Sequence, residues 1–164
     1  MDDPAARRLA ALLYTASEAV QSTANDALDP LGIGVRHFAL LTFLAHEAAG
    51  GTSEPIHEVL TGRAPSGAAA LSQQAIGDAL RIDRTTMVAL VDDLERLRLV
   101  RRERNPADRR AYMIRLETEG VDLQRRAEKA LNARAREFFE PLSEDERVAL
   151  RDALVRLLEH SRAG

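Results

Sequence analysis

The segment from residue 72 to residue 116 constrains the fold most strongly, because it joins two short helical patterns to a hairpin pattern. Ser72 and Asp83 each precede a run with apolar residues at helical spacing, and both residue types are favoured at helix N-caps. After Val100, a turn-like stretch separates two short runs, and the second run alternates as a β-strand does. The segment therefore predicts a helix, a tight turn, a second helix and a two-stranded hairpin.

The second of these helices is expected to bury one face and expose the other. Its apolar residues recur at i, i+3, i+4 and i+7, which places them on one side of an α-helix: Met87, Leu90, Val91, Leu94. The residues between them are predicted to face outwards: Arg84, Thr85, Val88, Ala89, Asp92. This outward face combines a cation, a hydroxyl and small apolar groups, the side chains that contact phosphates and base edges.

The predicted hairpin is far more basic than the rest of the chain. The whole chain has a formal net charge of −3, yet the stretch 96–115 carries eight arginines against Glu103 and Asp108. The arginines are Arg96, Arg98, Arg101, Arg102, Arg104, Arg109, Arg110 and Arg115. Such a local excess of positive charge predicts a surface that binds a polyanion.

Four further helical patterns flank this segment. Apolar residues at helical spacing predict helices over 5–28 and 35–48, and over 118–139, where Thr118 is expected to be the N-cap. The sequence Ser143-Glu144-Asp145-Glu146 is a capping box that predicts a final helix. Its apolar residues are expected to lie inside the protein: Val148, Leu150, Leu154, Leu157, Leu158. The fold class is therefore mainly α, with one small hairpin.

Length and composition limit the alternatives. At 164 residues, with 45% hydrophobic and 4% aromatic residues, the chain has the size and balance of one aliphatic helical domain. It contains no cysteine, which excludes disulfides and thiolate metal sites. No run approaches the roughly 20 apolar residues of a membrane span, and the N-terminus does not read as a secretory signal. We expect a cytoplasmic protein without a membrane partner.

Four regions are predicted within this single domain. Residues 1–48 form a dimerisation helix and a second helix, and residues 49–70, rich in Gly, Pro, Ser and Thr, form an extended linker. Residues 71–117 form the winged helix-turn-helix lobe, and residues 118–164 form the C-terminal dimerisation helices.

From Leu9 to Leu158 the chain resembles the multiple-antibiotic-resistance regulator (MarR) family of winged-helix transcription factors. The resemblance rests on LSQQAIGDAL, IDRTTMVALVDDLERLRLV, NPADRRAYMIRL, LETEG and the SEDE box. The chain departs from the family pattern in three places. Arg81 and Arg98 stand where glycines often precede and end the recognition helix, and the linker is longer than usual.

The resemblance implies a homodimer with intertwined N- and C-terminal helices, bound to a double-stranded DNA operator. A two-fold dimer of this kind is expected to read a pseudo-palindrome with half-sites roughly 10 to 10.5 bp apart. The recognition helix would enter the major groove and the wing the minor groove. We expect a transcriptional regulator, and a repressor rather than an activator. A small ligand is expected to release it from the operator.

Residue roles follow from the chemistry of the side chains together with the resemblance. Arg84 is suited to a bidentate contact with guanine, and Val88 or Ala89 to contact with a thymine methyl group. By resemblance, Arg110 is the wing-tip residue in the minor groove. Asp108 and Asp92 are expected to orient the wing. The full predicted DNA-binding set is Ser72, Gln73, Arg81, Arg84, Thr85, Thr86, Val88, Ala89, Arg101, Arg104, Arg109 and Arg110.

Other kinds of site have less support. Tyr14 and His37 are candidates for an effector pocket, since small aromatic or phenolic anions bind members of this family, although ordinary half-buried aromatic residues are the simpler interpretation. No two of the four histidines are separated by three or four positions, so no metal site and no cofactor are predicted. No catalytic motif is present, so we expect no enzyme. Two alternatives remain open: a dimeric winged-helix module that binds a protein, and a constitutive DNA binder without an effector.

Overall fold

The computed structural model describes residues 3–48, 72–105 and 112–163. The helices are α1 (Pro4–Leu28), α2 (Val35–Ala48), α3 (Gln73–Leu80), α4 (Arg84–Arg96), α5 (Thr118–Phe138) and α6 (Glu144–Ala163). A 3₁₀ turn at Asp29–Leu31 lies between α1 and α2. Strands β1 (Val100–Arg104) and β2 (Tyr112–Leu116) form an antiparallel pair. The mainly α winged helix-turn-helix predicted from the sequence is confirmed.

The chain divides into two compact units. Asn25–Ala130 forms one unit, and Met1–Ala24 together with Leu131–Gly164 forms the other. The core of the first unit is aliphatic, and α2 contributes five buried residues to it: Phe38, Leu40, Leu41, Phe43, Leu44. Ile76 of α3, Met87 of α4 and Ile114 of β2 are also almost completely buried. Burial of these side chains fixes both helices and the hairpin as one lobe.

Two side-chain caps define the helix-turn-helix, as the sequence predicted. The Ser72 hydroxyl oxygen accepts a hydrogen bond from the backbone N–H of Ala75 at 3.1 Å. The Asp83 carboxylate accepts one from the N–H of Thr86 at 3.0 Å. Between these caps, Arg81 adopts a left-handed backbone with φ 53° and ends α3. Each helix therefore starts at a residue whose side chain satisfies a free backbone donor.

The hairpin follows a second left-handed arginine. Arg98 has φ 59°, and the N–H of the next residue, Leu99, donates to the carbonyl of Leu94 at 2.9 Å. Val100 then pairs with Leu116, and the register runs to Arg104 opposite Tyr112. Both arginines adopt a backbone conformation that glycine, which has no Cβ, adopts without strain.

The Thr118 cap prediction is wrong by one residue. Thr118 is the first residue of α5, and the carbonyl of Glu117 accepts the first helical hydrogen bond, from the N–H of Val121 at 3.0 Å. The capping box of α6 is confirmed. The Ser143 N–H donates to the Glu146 carboxylate at 2.8 Å, and the Glu146 N–H donates to the Ser143 hydroxyl oxygen at 3.3 Å.

The second unit leaves much of its apolar surface exposed. The prediction that the apolar residues of α6 lie inside does not hold within one chain, because Leu157 is 51% exposed and Val148 is 43% exposed. Large side chains of α1 and α6 share this exposure: Leu9, Leu12, Leu13, Tyr14, Val20, Val148, Leu150, Val155, Leu157, Leu158. Leu154 is intermediate. A single chain therefore does not bury the rows that the sequence placed inside.

The predicted linker at 49–70 lies outside the described residues, as do Asp108, Arg109 and Arg110. No single helix in the described ranges is long and apolar enough to span a membrane, and only the pair 4–31 and 35–48, taken together, meets the length and composition test.

Candidate nucleic-acid interface

Helix α4 is held by one face and presents the other to solvent. The four predicted core residues of α4 are all buried: Met87, Leu90, Val91, Leu94. On the opposite side, Arg84, Thr85 and Ala89 are exposed, and Val88 keeps 39% of its surface. Because burial fixes the rotation of the helix, these outward residues are presented as one continuous face.

The first turn of α4 is further fixed through Asp83. Besides capping the backbone, the Asp83 carboxylate accepts a hydrogen bond from the Thr86 hydroxyl at 2.6 Å. The hydrogen bonds from the hydroxyl and the N–H of Thr86 hold the pKa of Asp83 below its ordinary value. The Thr86 hydroxyl thus has its proton committed to Asp83, so its remaining capacity toward DNA is that of an acceptor.

Four of the six arginines that the structure describes between residues 96 and 115 are paired with carboxylates. Arg96 lies 2.7 Å from Asp93. Arg101 lies 2.7 Å from Glu103 and 2.8 Å from Glu117. Arg115 lies 3.2 Å from Glu103. The pKa of Glu103 is lowered, first by its hydrogen bond with Arg101 and then by that with Arg115. These pairs mean that the number of arginines overstates the charge free to meet phosphate.

Arg102 is paired differently, because its partners are on α4. Its guanidinium lies 2.6 Å from Asp92 and 2.5 Å from Glu95. Burial acts to lower the pKa of Arg102, but the hydrogen bonds with Asp92 and Glu95 raise the pKa overall. Asp92 therefore contacts an arginine of the hairpin, on the side of α4 that also carries Val88.

Other arginines have no ion pair within the residues that the structure describes. They are exposed and lie at the end of α3, at both ends of α4 and at the end of β1: Arg81, Arg84, Arg98, Arg104. Arg104 is opposite Tyr112, whose side chain is 45% exposed. These four guanidinium groups therefore add positive charge to the exposed surface of the helix-turn-helix and hairpin.

The remaining predicted DNA contacts lie at the start of α3. The Ser72 hydroxyl is engaged in its cap, and Ser72 also forms an isolated β-bridge with Met113 of β2. Gln73, the first residue of α3, is partly exposed. The bridge connects the start of α3 directly to the hairpin.

The two effector candidates have separate surroundings. The Tyr14 hydroxyl donates to Glu18 at 3.0 Å, and Tyr14 is 66% exposed. His37 Nδ1 accepts a hydrogen bond from the N–H of Gly34 at 3.1 Å. Its Nε2 is buried without a hydrogen bond and lies 3.7 Å from an oxygen of Asp93 on α4. His37 thus lies close to α4, a relation that sequence spacing did not indicate.

Sequence reasoning also missed Glu95, which contacts both the backbone and the side chain of Arg102. The available signal was the spacing of Asp92 and Glu95, since acidic residues at i and i+3 share a helix face. Within the described ranges, no group of three or more His, Cys, Asp or Glu residues is arranged to hold a metal ion.

Comparison with known proteins shows which proteins this chain is similar to. Residues 59–111 match a family model described as the MarR family. A protein of Thauera aromatica, named for transcriptional regulation of the hcr operon, is 37% identical over 87 residues, which are 53% of this chain and 52% of that protein. The chain therefore spans about half the length of the curated relatives that it matches.

Solved structures extend the likeness beyond the matched segment. A MarR variant of E. coli complexed with operator DNA has a TM-score of 0.70 at 20% identity, covering 92% of this chain and 94% of that one. CouR of Rhodococcus jostii RHA1, bound to p-coumaroyl-CoA, has a TM-score of 0.62 at 26% identity, covering 87% and 86%. The fold is that of the MarR regulators over nearly the whole chain.

Proposed function

We propose that this chain, which carries a MarR-family segment within the fold of the MarR regulators, is a DNA-binding transcriptional regulator. The observation that supports this most directly is the outward face of α4, fixed by four buried residues and bordered by unpaired arginines. A rotationally fixed helix with polar and small apolar side chains outward has the properties required to read a major groove.

Each part of this surface has a proposed role. Arg84 makes a bidentate contact with guanine, Thr85 bonds a phosphate or base edge, and Val88 and Ala89 meet a thymine methyl group. Thr86, whose hydroxyl proton is donated to Asp83, accepts a hydrogen bond from a donor on a base edge. Ser72 and Gln73 offer the free backbone N–H groups of the α3 N-terminus to a phosphate. The basic residues outside α4 supply attraction and minor-groove contact: Arg81, Arg101, Arg104, Arg109, Arg110. Asp92 and Asp108 orient the wing.

A homodimer is part of the proposal. The apolar rows of α1 and α6 are exposed in the single chain, and Leu12 keeps 61% of its surface. Exposed apolar surface on long helices is ordinarily covered by a partner, and a second copy in two-fold symmetry covers the same rows on both chains. Two recognition helices related in this way bind half-sites roughly 10 to 10.5 bp apart.

The proposed activity is repression that a small ligand relieves. The relative CouR was solved with p-coumaroyl-CoA bound, a ligand with an aromatic phenolic group. For this chain we propose a small aromatic or phenolic effector, with Tyr14 and His37 among the residues that meet it. Release follows if the ligand changes the distance between the two recognition helices, because both half-sites are then no longer bound at once.

Selection from a pool of random duplexes tests the proposal without knowledge of the operator. The expected result is a pseudo-palindrome with the stated half-site spacing. Arg84→Ala should lose roughly 1 to 3 kcal/mol of binding free energy and should relax sequence preference at only one base pair of each half-site. Recovery of no common sequence, together with equal binding by wild type and Arg84→Ala, would favour a protein-binding winged helix instead. A ligand screen by thermal shift then separates a regulated binder from a constitutive one.

A further inference from the structure

We propose that Arg102 is a positioning residue, which holds the wing against the recognition helix so that both meet the operator in one geometry. This inference rests on the proposed DNA-binding function. It concerns a residue of the basic hairpin whose charge suggests a direct DNA contact.

Three polar contacts join Arg102 to one turn of α4. The two terminal guanidinium nitrogens lie 2.6 Å from the Asp92 carboxylate and 2.5 Å from that of Glu95. The backbone N–H of Arg102 also donates to Glu95, at 3.0 Å. The contacts therefore fix the path of strand β1 as well as the side chain.

The geometry suits a rigid connection. Asp92 and Glu95 are separated by three residues and lie on one face of α4, so a planar guanidinium can reach both. The Arg102 side chain is only 20% exposed. Its neighbour Arg101 is 52% exposed and pairs with Glu103 and Glu117, which are not on α4. Of these two adjacent arginines, Arg102 is the one whose ion pairs are with α4.

Strand β1 links the contacts of Arg102 to the position of Arg104, which has no ion pair among the described residues. Arg102 is paired in register with Ile114, which is fully buried. Two residues further along β1 lies Arg104, on the same strand face because side chains alternate with period two. The distance of Arg104 from α4 is thus set by the clamp at Arg102. A freed wing would retain its charge but lose a defined position, which costs affinity through lost preorganisation.

A pure charge effect and a positioning effect predict opposite changes in DNA affinity when Asp92 and Glu95 are neutralised. Asp92 and Glu95 are negative charges on the helix proposed to enter the groove. If they acted only through charge, their neutralisation would remove repulsion from phosphate and tighten binding. If they hold the wing, neutralisation releases Arg102 and weakens binding, although the protein becomes more positive.

The experiment measures binding to the duplex recovered in the selection, over a range of salt concentrations. Arg102→Met removes the fork, and the double variant Asp92→Asn with Glu95→Gln neutralises its partners while retaining polar side chains. We expect each to weaken binding about tenfold at constant salt. The slope of log K against log salt should remain that of wild type, because no phosphate contact is lost. Arg102→Lys should recover only part of the affinity, because lysine keeps the positive charge but lacks the planar guanidinium that reaches both carboxylates.

Asp93→Asn is the matched control. It removes one negative charge from the same helix, but Asp93 pairs with Arg96 and lies near His37 of α2, and neither residue belongs to the hairpin. This variant should bind as tightly as wild type or more tightly. Combining Arg102→Met with the double variant should cause no loss beyond that of either change, because both break the same contacts.

Three results would overturn the inference. A slope reduced by about 0.9 in Arg102→Met would make Arg102 a phosphate contact. Tighter binding by the Asp92→Asn, Glu95→Gln variant would show that the carboxylates act only by charge. Wild-type affinity in both would make the clamp irrelevant to DNA. Absence of binding by wild type would instead reject the proposed function.

A readout without DNA separates positioning from global unfolding. Hydrogen exchange of the Arg102 amide, which donates to Glu95, should accelerate in the Asp92→Asn, Glu95→Gln variant while amides in α2 keep their protection. Unchanged exchange at Arg102 would contradict a clamp. Acceleration throughout the lobe would show that the contacts serve overall stability alone, which also overturns the inference.

Discussion

The carbonyl oxygen of Leu99 lies where a side chain on Gly120 would have to be. A Cβ built on Gly120 would be 2.1 Å from that oxygen. The same oxygen accepts a hydrogen bond from the N–H of Glu117 at 2.9 Å, so it cannot move away freely. The first turn of α5 can therefore pack against the start of the hairpin only if residue 120 has no side chain.

Gly120→Ala is accordingly expected to destabilise the protein severely. The added methyl group meets backbone rather than a flexible side chain, so the cost should be about 3 kcal/mol or more. Gly32→Ala is the control, because Gly32 has φ +71° but no atom within 4 Å of the added Cβ. That change should cost only about 1 kcal/mol, from backbone conformation. Chemical denaturation of both variants tests the order, and equal costs would contradict it.

Substitution of Arg98 should separate stability from DNA binding. Arg98 is exposed and has φ 59°, a conformation that glycine adopts without strain. Arg98→Gly should stabilise the fold by up to about 1 kcal/mol, after allowance for the greater freedom of glycine in the unfolded chain. Arg98→Ala retains the strain but loses the same charge. The two variants should differ in free energy of unfolding and agree in operator affinity, and the reverse pattern would reject this explanation.

The Asp83 cap predicts a defined pH dependence. Hydrogen bonds from Thr86 lower the pKa of Asp83 in the folded protein. Its contribution is therefore complete above the pKa of the unfolded chain, roughly 3.9, and is lost as the pH falls through the lower folded value. Asp83→Asn retains a good N-cap but does not titrate there. Thermal unfolding should show a smaller decrease in Tm on acidification for Asp83→Asn than for wild type.

Asp83→Ala completes this comparison, because it removes the cap at every pH. It should lower Tm by a few degrees even at neutral pH, where Asp83→Asn should resemble wild type. Parallel acid profiles for wild type and Asp83→Asn would show that other carboxylates, such as Glu103 and Glu146, whose pKa values are also lowered, account for the acid sensitivity.

The apolar row of α1 predicts the oligomeric state. Leu12→Asp places a charge in a row that a second copy is proposed to cover, and should shift a dimer to monomer in sedimentation experiments at micromolar concentration. Gln21→Asp adds the same charge to an exposed residue nine positions from Leu12, which a spacing of 100° per residue places on the opposite side of the helix. It should remain dimeric. Monomeric wild type, or equal behaviour of the two variants, would contradict the proposed dimer.

Local features of the fold could be predicted from the sequence because their causes are local. Ser72, Asp83 and the Ser143 box mark helix starts through contacts within three residues, and each was found correctly. The buried face of α4 followed from periodicity alone. The start of α5 was misplaced by one residue, because Thr118 suits a cap in composition while the backbone gives that position to Glu117.

The pairing of the arginines could not be predicted in the same way. Which of Arg101 and Arg102 contacts α4 depends on strand register and on how closely the hairpin approaches the helix, and neither is encoded in a short window. The contact between His37 and Asp93 likewise joins α2 to α4 across 56 positions of sequence. The exposure of Leu157 depends on whether a second chain is present, which one sequence does not specify.

The most direct test of the central claim is the salt dependence of binding to the protein's own promoter fragment, measured for wild type, Arg84→Ala and Arg110→Ala. The account predicts that log K falls linearly with log salt, at about 0.9 per phosphate contact, and that both variants bind more weakly. No salt-dependent binding, with all three proteins indistinguishable, would contradict a DNA-binding role for this winged helix.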